Sequence, residues 1–360
     1  SLLQSYSLKK MLEELGHEVR FIDIERREED AILLNEDEVL KFASEREGKN
    51  SFFSRLKRID KYFINRLIGK IGNREQNKVF DDFRANILNI SRADNCEKYD
   101  LCVIGSDEVF HCLQNASWGF TTQLFGNVSQ ANNVITYAAS CGATHYNELP
   151  ERVKTRIKEA FVRVSFFSVR DENTKEFVEH MTEKEVYKHL DPVLVGNFDE
   201  EIKGAQLPSN IPQKYCIVYS YYGRMHDSAE ISEIQSFCKR HNLEIVSVGG
   251  PQKWIGKHLV LTPFEVLAVF RNADFVITDT FHGTIFSTKY ARKFAVLARE
   301  SNKNKLLDLV NTLEIHEHLL ENVTQLEEVY SVEKQEYKIM SIIEEQRKQT
   351  LDYLEMINEI

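Results

Sequence analysis

Three short clusters in this sequence pair an ionisable side chain with a glycine or turn residue, an arrangement suited to holding an anion or moving a proton. The first is Thr278-Asp279-Thr280-Phe281-His282-Gly283-Thr284, which closes the apolar run beginning at Phe275. A strand that runs into a tight turn at His282-Gly283, with a helix beginning near Thr284, presents free backbone N–H groups and the positive end of a helix dipole to a phosphate or carboxylate. Gly283 allows a ligand to come close, and His282 adds a ring that titrates near neutral pH. The plain alternative is a structural histidine at a strand–helix turn. The second cluster is Ser168-Val169-Arg170-Asp171-Glu172. Arg170, directly at a strand's end, suits a carboxylate or phosphate held by two parallel hydrogen bonds, or else it pairs locally with Asp171 or Glu172. In the third, Gly105-Ser106-Asp107-Glu108, the glycine permits a sharp turn and Asp107 can accept a hydrogen bond from a sugar hydroxyl or act as its base. Ser106 and Asp107 also read as helix N-caps.

Other chemistries find no support. The sequence contains no Walker A loop, no HExxH zinc pair and no GxSxG elbow, and it implies neither a metal nor a cofactor. The six cysteines, Cys96, Cys102, Cys112, Cys141, Cys216 and Cys238, form no CxxC pair and are too sparse for a disulfide scaffold, so they are expected to be reduced and mostly packing residues. A formal net charge of -10 argues against general binding to nucleic acid, so an anionic substrate needs a local positive site.

The elements that must position these clusters follow from periodicity. Residues 1–12 carry apolar side chains at helical spacing and Gly16 ends the helix; Val19 to Ile24 then reads as a strand. A chain that opens on a helix leading into a strand suggests that an earlier strand and its loop are missing. Residues 30–92 read as a polar helical insertion, with Phe52, Leu56, Ile59, Phe63 and Leu67 in one stripe. Beyond it, apolar runs of four to six residues alternate with helices in two series, one on each side of the proline-containing stretch Leu207 to Pro212. Alternating strands and helices imply parallel sheets covered on both faces, with polar tips at the carboxyl ends where such sheets bind ligands. The expected fold is α/β, with two Rossmann-like domains facing a cleft. The domains are 1–197 and 198–331, with a charged helix over 332–360 packing back across both.

Taken together, the motifs resemble those of the polysaccharide pyruvyl transferase family. Leu3-Gln4-Ser5-Tyr6-Ser7-Leu8 is similar to its first helix and Gly105-Ser106-Asp107-Glu108-Val109-Phe110 to its Gly-Ser-Asp block. Val134 to Gly142, Ser168 to Glu172, Asp191-Pro192-Val193 and Thr278 to Thr284 follow in the family's order. The resemblance implies a glycosyltransferase-B-like architecture and transfer of the enolpyruvyl carbon of phosphoenolpyruvate to two hydroxyls of a sugar, giving a cyclic pyruvate ketal and phosphate. It implies that Arg170 holds the donor's carboxylate or phosphate and that His282 binds the phosphate or supplies the proton. Gly283 and Thr284 would complete the anion site beside Asp279, and Asp107, with Gly105 and Ser106, would serve the acceptor. His111 stands where the family commonly has Trp, which points to a different acceptor pocket. The rival readings are a nucleotide-sugar glycosyltransferase of the same architecture and a non-catalytic carbohydrate- or partner-binding homologue.

The expected partners are phosphoenolpyruvate and a saccharide acceptor, including a lipid-linked one. No apolar run reaches the roughly 18 residues of a membrane span, so a cytoplasmic protein is expected. The basic run Arg55, Lys57, Arg58, Lys61, Arg66 and Lys70 is either a solvated helix face or a contact with an anionic membrane surface.

Overall fold

Apolar, β-branched runs bounded by polar clusters become strands here, and the runs Phe275–Thr278 and Phe294–Leu297, buried throughout, are covered on both faces. Strands β1 (Tyr99–Asp107), β2 (Ala131–Ala139), β3 (Val164–Val169) and β4 (Val186–Lys188) lie side by side in that order, all parallel. A second parallel sheet contains β5 (Tyr215–Ser220), β6 (Glu244–Gly249), β7 (Phe275–Thr278), β8 (Phe294–Leu297) and β9 (Leu319–Leu320), in the order β6-β5-β7-β8-β9. The computed structural model describes residues 2–25, 30, 74–112, 120–299 and 302–359. The two strand series of the sequence are therefore two separate parallel sheets with helices between their strands, a two-domain Rossmann-like α/β arrangement.

Burial explains why β7 and β8 sit inside their sheet. Phe275, Val276, Ile277, Phe294 and Val296 are fully buried, and each such side chain contributes about 1.5–3 kcal/mol relative to exposure. In the second sheet the strand order reverses between β5 and β7, the kind of switch point at whose carboxyl end open α/β sheets form a crevice. The tips there are Tyr221 to Arg224 and Asp279 to His282.

One apolar core joins the sheets. It runs from Leu3, Leu8 and Met11 of the N-terminal helix (Leu2–Glu14) through Ile135 and Tyr137 to Ile217, Val276 and Ile285, and on to Ile339, Ile343 and Leu354 of the C-terminal helix (Glu336–Glu355). Polar contacts tie the C-terminal segment to both sides. Tyr353 donates to the Thr136 carbonyl of β2 at 2.7 Å, and Lys334 donates to the Ala291 carbonyl just before β8 at 3.0 Å. In the helix Arg74–Asn86, Gln76 exchanges two hydrogen bonds with the Leu261 backbone, at 2.7 and 3.0 Å, as a neighbouring strand would.

Some expectations change. Val19 to Ile24 forms no strand, and among the described residues it pairs with none; it and the edge strand β1 line a cavity of about 1070 Å³ that separates them. The apolar stripe from Phe52 to Leu67 and the basic run from Arg55 to Lys70 lie outside the described residues. Among the described residues no helix is long and apolar enough to cross a membrane.

Candidate functional site

The carboxyl-terminal tips of β1, β3, β4 and β7 converge on one buried carboxylate, Asp191. Its position follows from local sequence: an aspartate before a proline can N-cap a helix whose first residue needs no N–H. Asp191 caps the short helix Pro192–Val195, Oδ1 accepting from the Val193 N–H at 3.0 Å. Oδ2 receives Gln4 Nε2 at 2.6 Å and Arg170 Nη1 at 3.1 Å, and lies 3.8 Å from His282 Nε2. Gln4 Nε2 also donates to Ser106 Oγ at 2.9 Å, linking the N-terminal helix to the tip of β1.

Arg170 follows β3, and its backbone N–H bonds the Ala139 carbonyl at 2.9 Å. The side chain is buried, with its guanidinium 4.2 Å from the centre of the Phe281 ring. Nη2 comes within 3.8 Å of Asp107 Oδ1, too far for a hydrogen bond. Nε and Nη2 are buried without a hydrogen-bond partner, and together they form the side-on fork of the guanidinium. Burial opposes the charge, but the Asp107 and Asp191 carboxylates outweigh it and keep Arg170 firmly protonated. Asp171 and Glu172 are engaged elsewhere: Asp171 caps the helix Glu172–Glu179 and Glu172 pairs with Lys188, so the local pairing of Arg170 with them does not form.

At the tip of β1, the described residues 108–112 after Ser106 and Asp107 form turns and no helix, which rules out the N-cap reading. Gly105 has φ +143°, and a Cβ there would stand 2.1 Å from the Tyr137 carbonyl oxygen, so the glycine is required by the close approach of β2. Asp107 itself has φ +80°, a conformation that non-glycine residues hold only where their surroundings enforce it. Burial would raise its pKa, yet positive charge facing it, that of the Arg170 guanidinium included, holds the carboxyl below the ordinary carboxylate range.

The helix at the tip of β7 begins earlier than the sequence suggests. Thr280 is its N-cap and the helix spans Phe281–Tyr290, so His282 and Gly283 occupy its first turn. The Gly283 N–H donates to Thr280 Oγ1 at 2.9 Å and the Thr284 N–H to the Thr280 carbonyl at 3.0 Å. These two donors are engaged within the helix start. A Cβ on Gly283 would lie 2.0 Å from Thr278 Oγ1, so Gly283 serves packing of the helix on the strand. His282 loses basicity through burial, a loss that Asp107 and Asp191 oppose.

Asp279 is also buried, and it collects cations instead of facing an anion. Oδ2 accepts from Arg299 Nε at 3.0 Å and lies 3.6 Å from Arg224 Nε; Oδ1 has no hydrogen-bond partner. Lys305, in the helix Lys303–Leu313, pairs with Glu108, joining the tip of β1 to an element that follows β8. Among the described residues no group of three or more His, Cys, Asp or Glu is arranged to hold a metal ion.

Arg170, Asp107 and His282 thus come together around Asp191, beside Ser106. Sequence reasoning left Gln4, Asp191, Arg224 and Arg299 out of the site. For Gln4 a signal existed: it is a polar residue in the buried register of its helix, between Leu3 and Ser7. Among known proteins, the family model described as polysaccharide pyruvyl transferase matches residues 1–301. No curated protein matches the chain.

Proposed function

The chain belongs to the polysaccharide pyruvyl transferase family, and from that membership we propose that it transfers the pyruvyl skeleton of phosphoenolpyruvate to two hydroxyls of a sugar in a cell-surface polysaccharide or its lipid-linked precursor. The observation that carries this reading is the buried Nε/Nη2 fork of Arg170, which lacks hydrogen-bond partners where three acid–base groups meet. A buried donor pair without acceptors costs about 1–3 kcal/mol per group, a cost that a ligand carboxylate or phosphate removes.

In the proposed reaction a proton from His282 adds to the methylene carbon of the donor and leaves a cation at C2. One sugar hydroxyl adds there, phosphate departs, and the second hydroxyl closes the ketal. Of the two hydroxyl protons released, one replaces the proton drawn from His282 and the other leaves with phosphate. Asp107, held ionised, is the base for an acceptor hydroxyl. The free enzyme holds His282 largely neutral, and a polyanionic donor beside the ring raises its pKa, so donor binding arms the acid.

The test is incubation of the protein with phosphoenolpyruvate and candidate saccharides, free and lipid-linked, with phosphate release followed alongside mass spectrometry of the sugar. A pyruvylated sugar formed in step with phosphate is expected. Phosphate without a modified sugar, or a sugar modified only from nucleotide-sugar donors, would overturn the reading.

A further inference from the structure

Lys289 lies in the same helix as His282, two turns further on, and reaches into the connection between the two sheets. Its Nζ donates to the carbonyls of Val193 at 3.0 Å and Leu194 at 2.8 Å, and also to that of Gly196. Arg347 Nη1, from the C-terminal helix, takes the Val195 carbonyl at 2.8 Å. These carbonyls form the far end of the short helix that Asp191 caps. One end of this segment is held by Lys289; the other presents the carboxylate that binds Arg170 and faces His282.

We propose that the Lys289 ammonium is a positioning residue for the anion site, fixing the 191–196 segment so that Asp191 orients Arg170 and His282. The proposal rests on the reading of Arg170 and His282 as the donor-binding and acid groups. Three carbonyl acceptors need three N–H donors, which an ammonium has and a neutral amine lacks. The charged groups around Lys289 are Arg347 and Glu344 on the C-terminal helix and Asp199 on the following short helix, with the rings of Phe198 and Tyr290 at 5.6 Å. Burial, helped by Arg347, draws the amine down to about 7, while Asp199 and Glu344 oppose that shift. The carbonyls add to the opposition, since they satisfy only the charged form. A purely structural lysine would hold the fold at every pH; this one is built to lose its grip on the segment as it deprotonates. The segment has other anchors, Ser7 Oγ on the Pro192 carbonyl at 2.6 Å and Arg347 on Val195, so it need not unfold when Lys289 is changed.

The experiment compares wild type, Lys289→Met and Lys289→Arg in two measurements. Calorimetry gives the affinity for phosphoenolpyruvate at pH 6.5 and 9, and ring NMR follows the His282 titration without ligand. Wild type should bind about tenfold more weakly at pH 9. Lys289→Met should bind about tenfold more weakly at both, with kcat at saturating donor within about threefold of wild type. Lys289→Arg keeps its charge, so its affinity should fall less between the two pH values. In Lys289→Met the His282 midpoint should drop by about half a unit as Asp191 moves away. An unchanged His282 midpoint in Lys289→Met overturns the positioning role, whether or not phosphoenolpyruvate is the donor. Wild type that binds no phosphoenolpyruvate at either pH overturns the donor reading, and the NMR result still decides Lys289. Should Lys289→Met not fold, a Lys289→Arg protein that weakens with pH as wild type does overturns the proposal.

Discussion

Arg170 and His282 share Asp191 as a neighbour but face different chemical demands, so their replacements should fail differently. Lysine at 170 keeps the charge and loses the Nε/Nη2 fork, so Arg170→Lys should raise KM for phosphoenolpyruvate about tenfold or more, with a smaller effect on kcat. His282→Gln keeps hydrogen bonding but cannot deliver a proton, and kcat should fall by roughly a hundredfold. Steady-state kinetics on both variants from pH 5 to 9 checks this assignment. Loss of donor affinity alone in His282→Gln, with both limbs of the pH profile intact, would reduce the histidine to a phosphate ligand. The place of Arg170 at the tip of β3 was legible because it directly follows an apolar run. Asp191 was not: an Asp-Pro pair announces a helix cap, and only folding shows that the cap's second oxygen gathers Gln4 and Arg170.

At the scale of elements, the tip of β1 depends on one glycine. Alanine at 105 would drive its Cβ into the Tyr137 carbonyl oxygen of β2 and hold an L-residue at φ +143°, so Gly105→Ala should cost about 3 kcal/mol or more, measured by urea unfolding. A cost below about 1 kcal/mol would show that β1 can shift away from β2. The N-terminal boundary of the β7-linked helix is set by Thr280, which bonds the Gly283 N–H. Sequence placed this boundary near Thr284 because His-Gly reads as a turn; the Thr280 cap draws the helix back to Phe281. The kind of short apolar run that located the paired strands misled at Val19 to Ile24, because pairing needs a neighbour that a local run cannot supply.

For the whole molecule, the C-terminal helix makes stability depend on pH. His189, just after β4, is buried between the rings of Tyr137, at 6.0 Å, and Tyr353, at 4.7 Å, and burial pulls its pKa to about 4. In the unfolded chain it titrates near 6.5, so above that pH it is neutral in both states and has no effect. As pH falls from 6.5 to 4 the unfolded state takes up the proton first, and up to about 3 kcal/mol of stability is lost. Denaturant unfolding of wild type and His189→Gln across this range should show a shallower pH slope in the variant; equal slopes would mean the ring reaches water. Donor binding should act in the opposite direction. At a hundred times its Kd, phosphoenolpyruvate should add about 2.7 kcal/mol of stability, read as a rise in Tm, and nucleotide sugars should do less. The reverse order would favour a nucleotide-sugar enzyme.

The sequence by itself determined the α/β class, the two strand series and the strand tips that carry Arg170, Asp107 and His282, because these are local: apolar runs set strands, and polar residues at their ends set tips. Only the tertiary structure decided which tips meet. Asp191 lies 187 residues from Gln4 and 21 from Arg170 along the chain, and their contacts arise from sheet order and a core shared by both domains, neither of which local periodicity encodes. The same physics explains the spent Gly283 and Thr284 donors. A helix start offers N–H groups to an anion only when its own cap does not take them first, and whether the Thr280 hydroxyl does so depends on backbone geometry that exists only after folding.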